Sequence, residues 1–239
     1  MDPVRALIPF VPYALISAIH VVLRFLEHPL DYPTKLMLMP ALALAALGAT
    51  ASIRPYPRGP VLLLLAAVFF SWLGDGAGFF FPGLPELPMM LASFGLAHVA
   101  YVLMVWKVPG IARGGFPLWA SVYLLAYAVL MVLLWPHAGV LRVPVMIYGV
   151  LLAATAAFAA RCGAVIAWGG AWFLVSDAIL SFRIFIPEIM PDWTSAAVML
   201  TYTLGQGLIV YGVTRALQQR SVTPDPVTEG VAAASAPRG

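Results

Sequence analysis

Cysteine occurs once, at Cys162, which excludes a disulfide within the chain and any cysteine-based metal cluster. Charge is almost as scarce. Asp, Glu, Lys and Arg make up 10% of the 239 residues, against about a quarter in a soluble domain. Of the four histidines, no two form an H-x-x-x-H pair, so the helical zinc signature is missing and neither metal nor other cofactor is expected. His20, His28 and His137 read as scattered at helix ends or in loops. The net charge of +3 comes mainly from arginines between apolar runs, where it bears on membrane orientation, so no nucleic-acid partner is expected. No small-residue cleavage site follows the first apolar run, which therefore reads as a retained helix and not a signal peptide.

What the chain has instead is apolar length, with 62% hydrophobic residues. Runs long enough to cross a hydrocarbon core, which takes roughly 20 helical residues, fall at 8–26, 34–53, 60–81, 88–106, 116–135, 143–160, 164–186 and 195–216. The expected fold is an all-α polytopic membrane protein of about eight transmembrane helices. The breaks carry proline, glycine and charge, the shortest being Arg161–Gly163. Residues 1–217 then form one transmembrane domain, and 218–239, polar and proline-rich, a disordered tail. Arg5, Arg54, Arg58, Lys107, Arg113, Arg161, Arg215 and Arg220 fall on one side of this topology, and Arg24, Lys35, Arg142 and Arg183 on the other. The richer side is expected to be cytoplasmic, with both termini there and the protein in a bacterial inner membrane.

Ionisable groups inside such runs are costly and are site hypotheses by default. Asp75, in S-W-L-G-D-G-A-G, and Asp177, in W-F-L-V-S-D-A-I-L, are the two carboxylates so placed. His98 and Gln206 fall near the midplane, Tyr101 slightly deeper, and Tyr148 and Tyr202 in the same half as the two Asp residues. Lys35 and Arg183 lie at helix ends on that side. Polar groups crowded into one half suit a cavity open to one leaflet. Ser71 and Asp75 share a helix face, as do Asp177 and Ser181, and Tyr202 and Gln206. Glycines at 74, 76 and 78 allow close helix approach around Asp75, and the stiff loop Pro82–Pro88 is expected to hold Asp75 near His98. Each residue also has a plainer reading: His98 as a helix-to-helix hydrogen bond, the tyrosines as interface anchors, the carboxylates as bridges to Lys35 or Arg183.

Taken together, T-K-L at 34–36, G-D at 74–75, F-G-L-A-H-V-A-Y at 94–101, V-P-V-M-I-Y at 143–148, F-L-V-S-D-A-I-L at 173–180 and T-Y-T-L-G-Q at 201–206 resemble the YhhN-like family of membrane lysoplasmalogenases. Lys35-Leu36 departs from that family's usual Lys-Pro, a local matter of helix geometry. The resemblance implies an eight-helix membrane enzyme that hydrolyses the vinyl ether bond of lysoplasmalogens. Its products would be a fatty aldehyde and glycerophosphoethanolamine or glycerophosphocholine, and its partner a lysophospholipid drawn from the bilayer.

That reaction needs an acid, a base and a stabilising negative charge, which two carboxylates can divide, as in glycosidases. Asp75 and Asp177 are the expected catalytic pair, with no order between them. Lys35, His98, Tyr148, Arg183, Tyr202 and Gln206 are the expected substrate-binding residues, Lys35 and Arg183 facing the phosphate. A proton-coupled transporter or a lipid scramblase, with the same carboxylates in its cavity, is the competing class.

Overall fold

The computed structural model describes residues 6–222 and is all-helical, with no strand among them. Its long helices are α1 (Val11–Phe25), α2 (Asp31–Thr50) and α3 (Arg58–Asp75), followed by a single turn, α4 (Ala77–Phe80). Then come α5 (Glu86–Lys107), α6 (Ser121–Leu134), α7 (Arg142–Ala160), α8 (Ala164–Phe185) and α9 (Thr194–Val222). Seven of these segments are long and apolar enough to cross a membrane, and the eighth, Leu118–Leu134, is shorter. Each of the eight expected runs thus contains a helix, seven of them of spanning length. Residues 218–222 of the expected tail continue α9, and 223–239 lie outside the described residues.

Local chemistry explains the boundaries. Pro9 and Pro12, which threaten a helix on paper, sit in a 3-10 turn and in the first turn of α1, where no backbone N–H is needed. The short break at 161–163 is real: α7 stops at Ala160 and Gly163 caps α8. The expected run 60–81 is not one helix but ends at Asp75, with Gly76 as its cap, so the carboxylate sits at a helix terminus. Gly76 is required there, since a Cβ would meet the Phe80 ring at 2.5 Å and Leu36 at 2.8 Å.

Seven helices close into a ring. In order around it, α1, α2, α3, α5, α7, α8 and α9 each pack on the next, and α9 returns to α1 and also touches α2. α6 stands outside this ring, against α7 and α8. It carries the chain back to the end where α2, α5, α7 and α9 begin and α1, α3 and α8 finish. Glycine sets the tightest crossing, between α8 and α9: a Cβ on Gly205 would lie 2.7 Å from the Phe173 backbone nitrogen, and one on Gly169 2.8 Å from that of Ile209. Lys35 and Asp75 meet at the end where α2 begins and α3 finishes.

Candidate functional site

Asp75 is 5% exposed and is held from two directions. Its Oδ1 lies 3.7 Å from Lys35 Nζ, in the first turns of α2, and its Oδ2 accepts a 2.7 Å hydrogen bond from Tyr202 of α9. Trp72 Nε1 ties α3 to α2 by donating to the Leu36 carbonyl at 2.9 Å, which keeps Lys35 beside Asp75. Gln206, one turn beyond Tyr202 and fully buried, donates to Ser71 Oγ at 2.9 Å and to Tyr202 Oη at 3.5 Å. Its Oε1 accepts from the Tyr101 hydroxyl of α5. Donors thus run from Tyr101 through Gln206 and Tyr202 to Asp75, and with Lys35 on its other oxygen Asp75 is an acceptor throughout. This is the arrangement of an ionised carboxylate.

Asp177 has different company. Its Oδ2 accepts from the Tyr148 hydroxyl of α7 and lies 3.9 Å from His98 Nε2 of α5. His98, fully buried, reaches Tyr148 Oη at 3.3 Å through Nε2 and Thr155 Oγ1 at 3.1 Å through Nδ1. Thr155 spends its own proton on the Leu151 carbonyl, so Nδ1 is the donor to it and the tautomer follows. Two contacts remain, Nε2 to Tyr148 and Tyr148 to Asp177, and Tyr148 brings only one proton to them. Both become hydrogen bonds only with a second proton, either on Nε2 or on Asp177.

Phe173 joins the halves, its ring centroid 4.8 Å from that of His98 and 5.6 Å from that of Tyr202. The two carboxylates are close enough for their charges to interact. Beside Asp177 and Tyr148 a cavity of about 50 Å³ opens between α6, α7 and α8, walled by Met131, Leu152 and Leu174 with Ser181 at its edge.

Of the eight expected site residues, Lys35, Asp75, Tyr202 and Gln206 meet in one cluster, and His98, Tyr148 and Asp177 in the other. Arg183 joins neither by any hydrogen bond or ion pair among the described residues. Its Nη1 donates to the Pro191 carbonyl at 3.0 Å and to Thr194 Oγ1 at 2.5 Å, pinning the loop before α9. Asp75 and His98 share no hydrogen bond or ion pair among the described residues, because rotation of α5 turns His98 toward α7 and α8. His20 is not at a helix end but inside α1, 1% exposed and bonded to Thr34 at 2.9 Å. Thr34, Thr155, Phe173 and His20 were missed, since threonine and phenylalanine in apolar helices look like packing. The one available signal was His20 following Tyr13 and Ser17 at helical spacing. Cys162 is no nucleophile: burial pushes its thiol up to about 11, against Arg161 and Arg113. Among the described residues no group of three His, Cys, Asp or Glu side chains could hold a metal ion.

No curated protein matches the chain and no solved structure does. The model of the YhhN family matches residues 30–213, which take in α2 through most of α9 and both carboxylate clusters. With three quarters of its length in that match, the chain belongs to the YhhN family of membrane proteins, a family known for lysoplasmalogenase activity.

Proposed function

We propose that the protein is a membrane lysoplasmalogenase in which Asp177 is the general acid and Asp75 the base and stabilising charge. The observation that carries this order is what stands behind each tyrosine, a donating glutamine amide behind Tyr202 and an imidazole nitrogen behind Tyr148. Donors converge on Asp75, whereas the chain of His98, Tyr148 and Asp177 is fully bonded only with a second proton.

Hydrolysis starts when Asp177 protonates the vinyl carbon beta to the ether oxygen, the electron pair of the double bond forming the new C–H bond. The cation left at the alpha carbon is shared with the ether oxygen and faces the negative charge of Asp75. Water attacks the alpha carbon and gives a proton to Asp75, forming a hemiacetal. Collapse of the hemiacetal breaks the bond to the glycerol oxygen, which takes up a proton as the hemiacetal hydroxyl loses one. One water is consumed, and an aldehyde and a glycerophospho-alcohol are released. Asp75 then releases its proton to water, and Asp177 takes one up from water by way of His98 and Tyr148, which closes the cycle.

Lys35 is the cation proposed at the phosphate. Its side chain is 28% exposed, so it can touch a headgroup while keeping Asp75 ionised. Arg183 is spent on its loop. The cavity beside Asp177 lets the first carbons of the alkenyl chain approach from the lipid side.

The test is aldehyde release from a lysoplasmalogen by detergent-purified protein, beside Asp177→Asn. Release by the native chain alone supports the reading. No release across headgroups and pH by a folded protein overturns it, and lipid or proton flux into liposomes becomes the next assay.

A further inference from the structure

His98 has a counterpart in α1. Thr34 Oγ1 gives its proton to the Leu30 or Asp31 carbonyl, at 2.8 and 2.9 Å, so His20 Nδ1 is the donor in its 2.9 Å contact with that oxygen. In the neutral ring Nε2 is then a bare acceptor, as at His98. The parallel ends there. His98 Nε2 meets Tyr148, but His20 Nε2, buried with its ring at 1% exposure, has no hydrogen-bond partner among the described residues. The fixed tautomer leaves a bare acceptor, and Ser17 Oγ, one turn earlier in α1, is likewise buried without a hydrogen-bond partner among the described residues.

The position makes the missing donor chemically specific. Thr34, which fixes the ring, adjoins Lys35, whose ammonium pairs with Asp75. The charges of Lys35, Asp31 and Arg24 all reach the His20 ring, and two of these three are positive. An ammonium donor is disfavoured beside Lys35, and a neutral O–H is not.

We propose that His20 Nε2 accepts the hydrogen bond of a neutral hydroxyl on the ligand: the free glycerol hydroxyl of a lysolipid, next to the phosphate that Lys35 meets. This rests on the lysolipid reading of the site. A lysoplasmalogen has one such hydroxyl, on the carbon between its ether and its phosphate, and acylation removes it. A site built to bond a hydroxyl rejects the analogue without one, because its buried polar atom is left unpaired. His20 would thus help select lysolipids over two-chain lipids. It does so from α1, outside the matched residues 30–213.

Two saturated ether lipids, 1-alkyl-2-hydroxy- and 1-alkyl-2-methoxy-glycerophosphocholine, test this without turnover, since neither can yield an aldehyde. Titrated into the detergent-solubilised full chain, the hydroxy lipid should bind at least ~10-fold tighter, one hydrogen bond to a buried acceptor being enough for that factor. His20→Leu should bind both lipids alike, at the affinity of the methoxy lipid. Thr34→Val, which frees the ring to take either tautomer, should lose part of the preference and decides the matter if His20→Leu does not fold. Equal binding of the two lipids by the native chain, as expected if Nε2 holds only a buried water, overturns the proposal, and so does failure to bind either. A preference undiminished in His20→Leu, or in Thr34→Val where that variant is decisive, overturns it too. A hydroxyl preference without aldehyde release from a lysoplasmalogen keeps the subsite and removes the catalytic reading.

Discussion

Asp75 and Asp177 look alike by type: each is a carboxylate on a ring-lining helix, each bonded through Oδ2 to a tyrosine hydroxyl of another helix. They differ in what stands behind the tyrosine. Tyr202 is backed by a glutamine amide, which donates to it, and Tyr148 by an imidazole nitrogen, which at neutral charge can only accept. The first arrangement drives protons toward the carboxylate from outside and leaves it charged against Lys35. The second leaves one hydroxyl proton between two acceptors, the imidazole nitrogen and the carboxylate. In a bilayer interior the role of a carboxylate is set less by its depth than by the direction its neighbours donate.

The largest expected effect comes from removing the proposed acid. Asp177→Asn should lower aldehyde release ~10³-fold, the scale of general acid catalysis, with gel-filtration and thermal profiles unchanged. Activity within a few-fold of native would dissolve the distinction between the carboxylates. Asp75→Asn leaves Lys35 without its partner and should cost ~10²-fold in kcat. Pairing it with Lys35→Met should restore thermal stability relative to either single change, the two groups being coupled, without restoring turnover. Tyr148→Phe interrupts the relay but spares both carboxylates, so a loss of ~10-fold in kcat at nearly constant KM is expected. A loss in KM alone would make Tyr148 a substrate contact instead. Gly205→Ala forces a Cβ within 2.7 Å of the Phe173 backbone, whose side chain touches both clusters. It should lower stability by ~1–3 kcal/mol in thermal unfolding and blunt activity only mildly. EDTA should change nothing measurable; complete loss of turnover, restored by zinc, would give the carboxylates a different role altogether.

Much of this was legible along the chain. The pairs Ser71–Asp75 and Tyr202–Gln206 share a face by spacing alone, and the structure joins the two pairs across the ring. Lys35 was named at the right end of α2, and Asp75 is its partner. The partnership of His98 was not readable, because spacing places residues on one helix face but not that face toward a neighbour. Arg183 looked like a phosphate ligand because an arginine at a helix end invites that reading, and only the path of residues 187–193 shows its guanidinium bonded to the loop. His20 reads as a helix-end residue because two prolines obscure where α1 starts.

The sequence by itself determined that the chain is a membrane protein of repeated apolar helices with two carboxylates inside them, since span length and composition are properties of contiguous residues and the cost of burying charge applies to each alone. Only the tertiary structure decided that seven helices form the ring and α6 stands outside it, which hydroxyl faces which carboxylate, and which way the donors run. Those follow from helix rotation, from close crossings such as that at Gly205, and from bonds such as Tyr101–Gln206 and Gln206–Ser71 between residues a hundred or more positions apart.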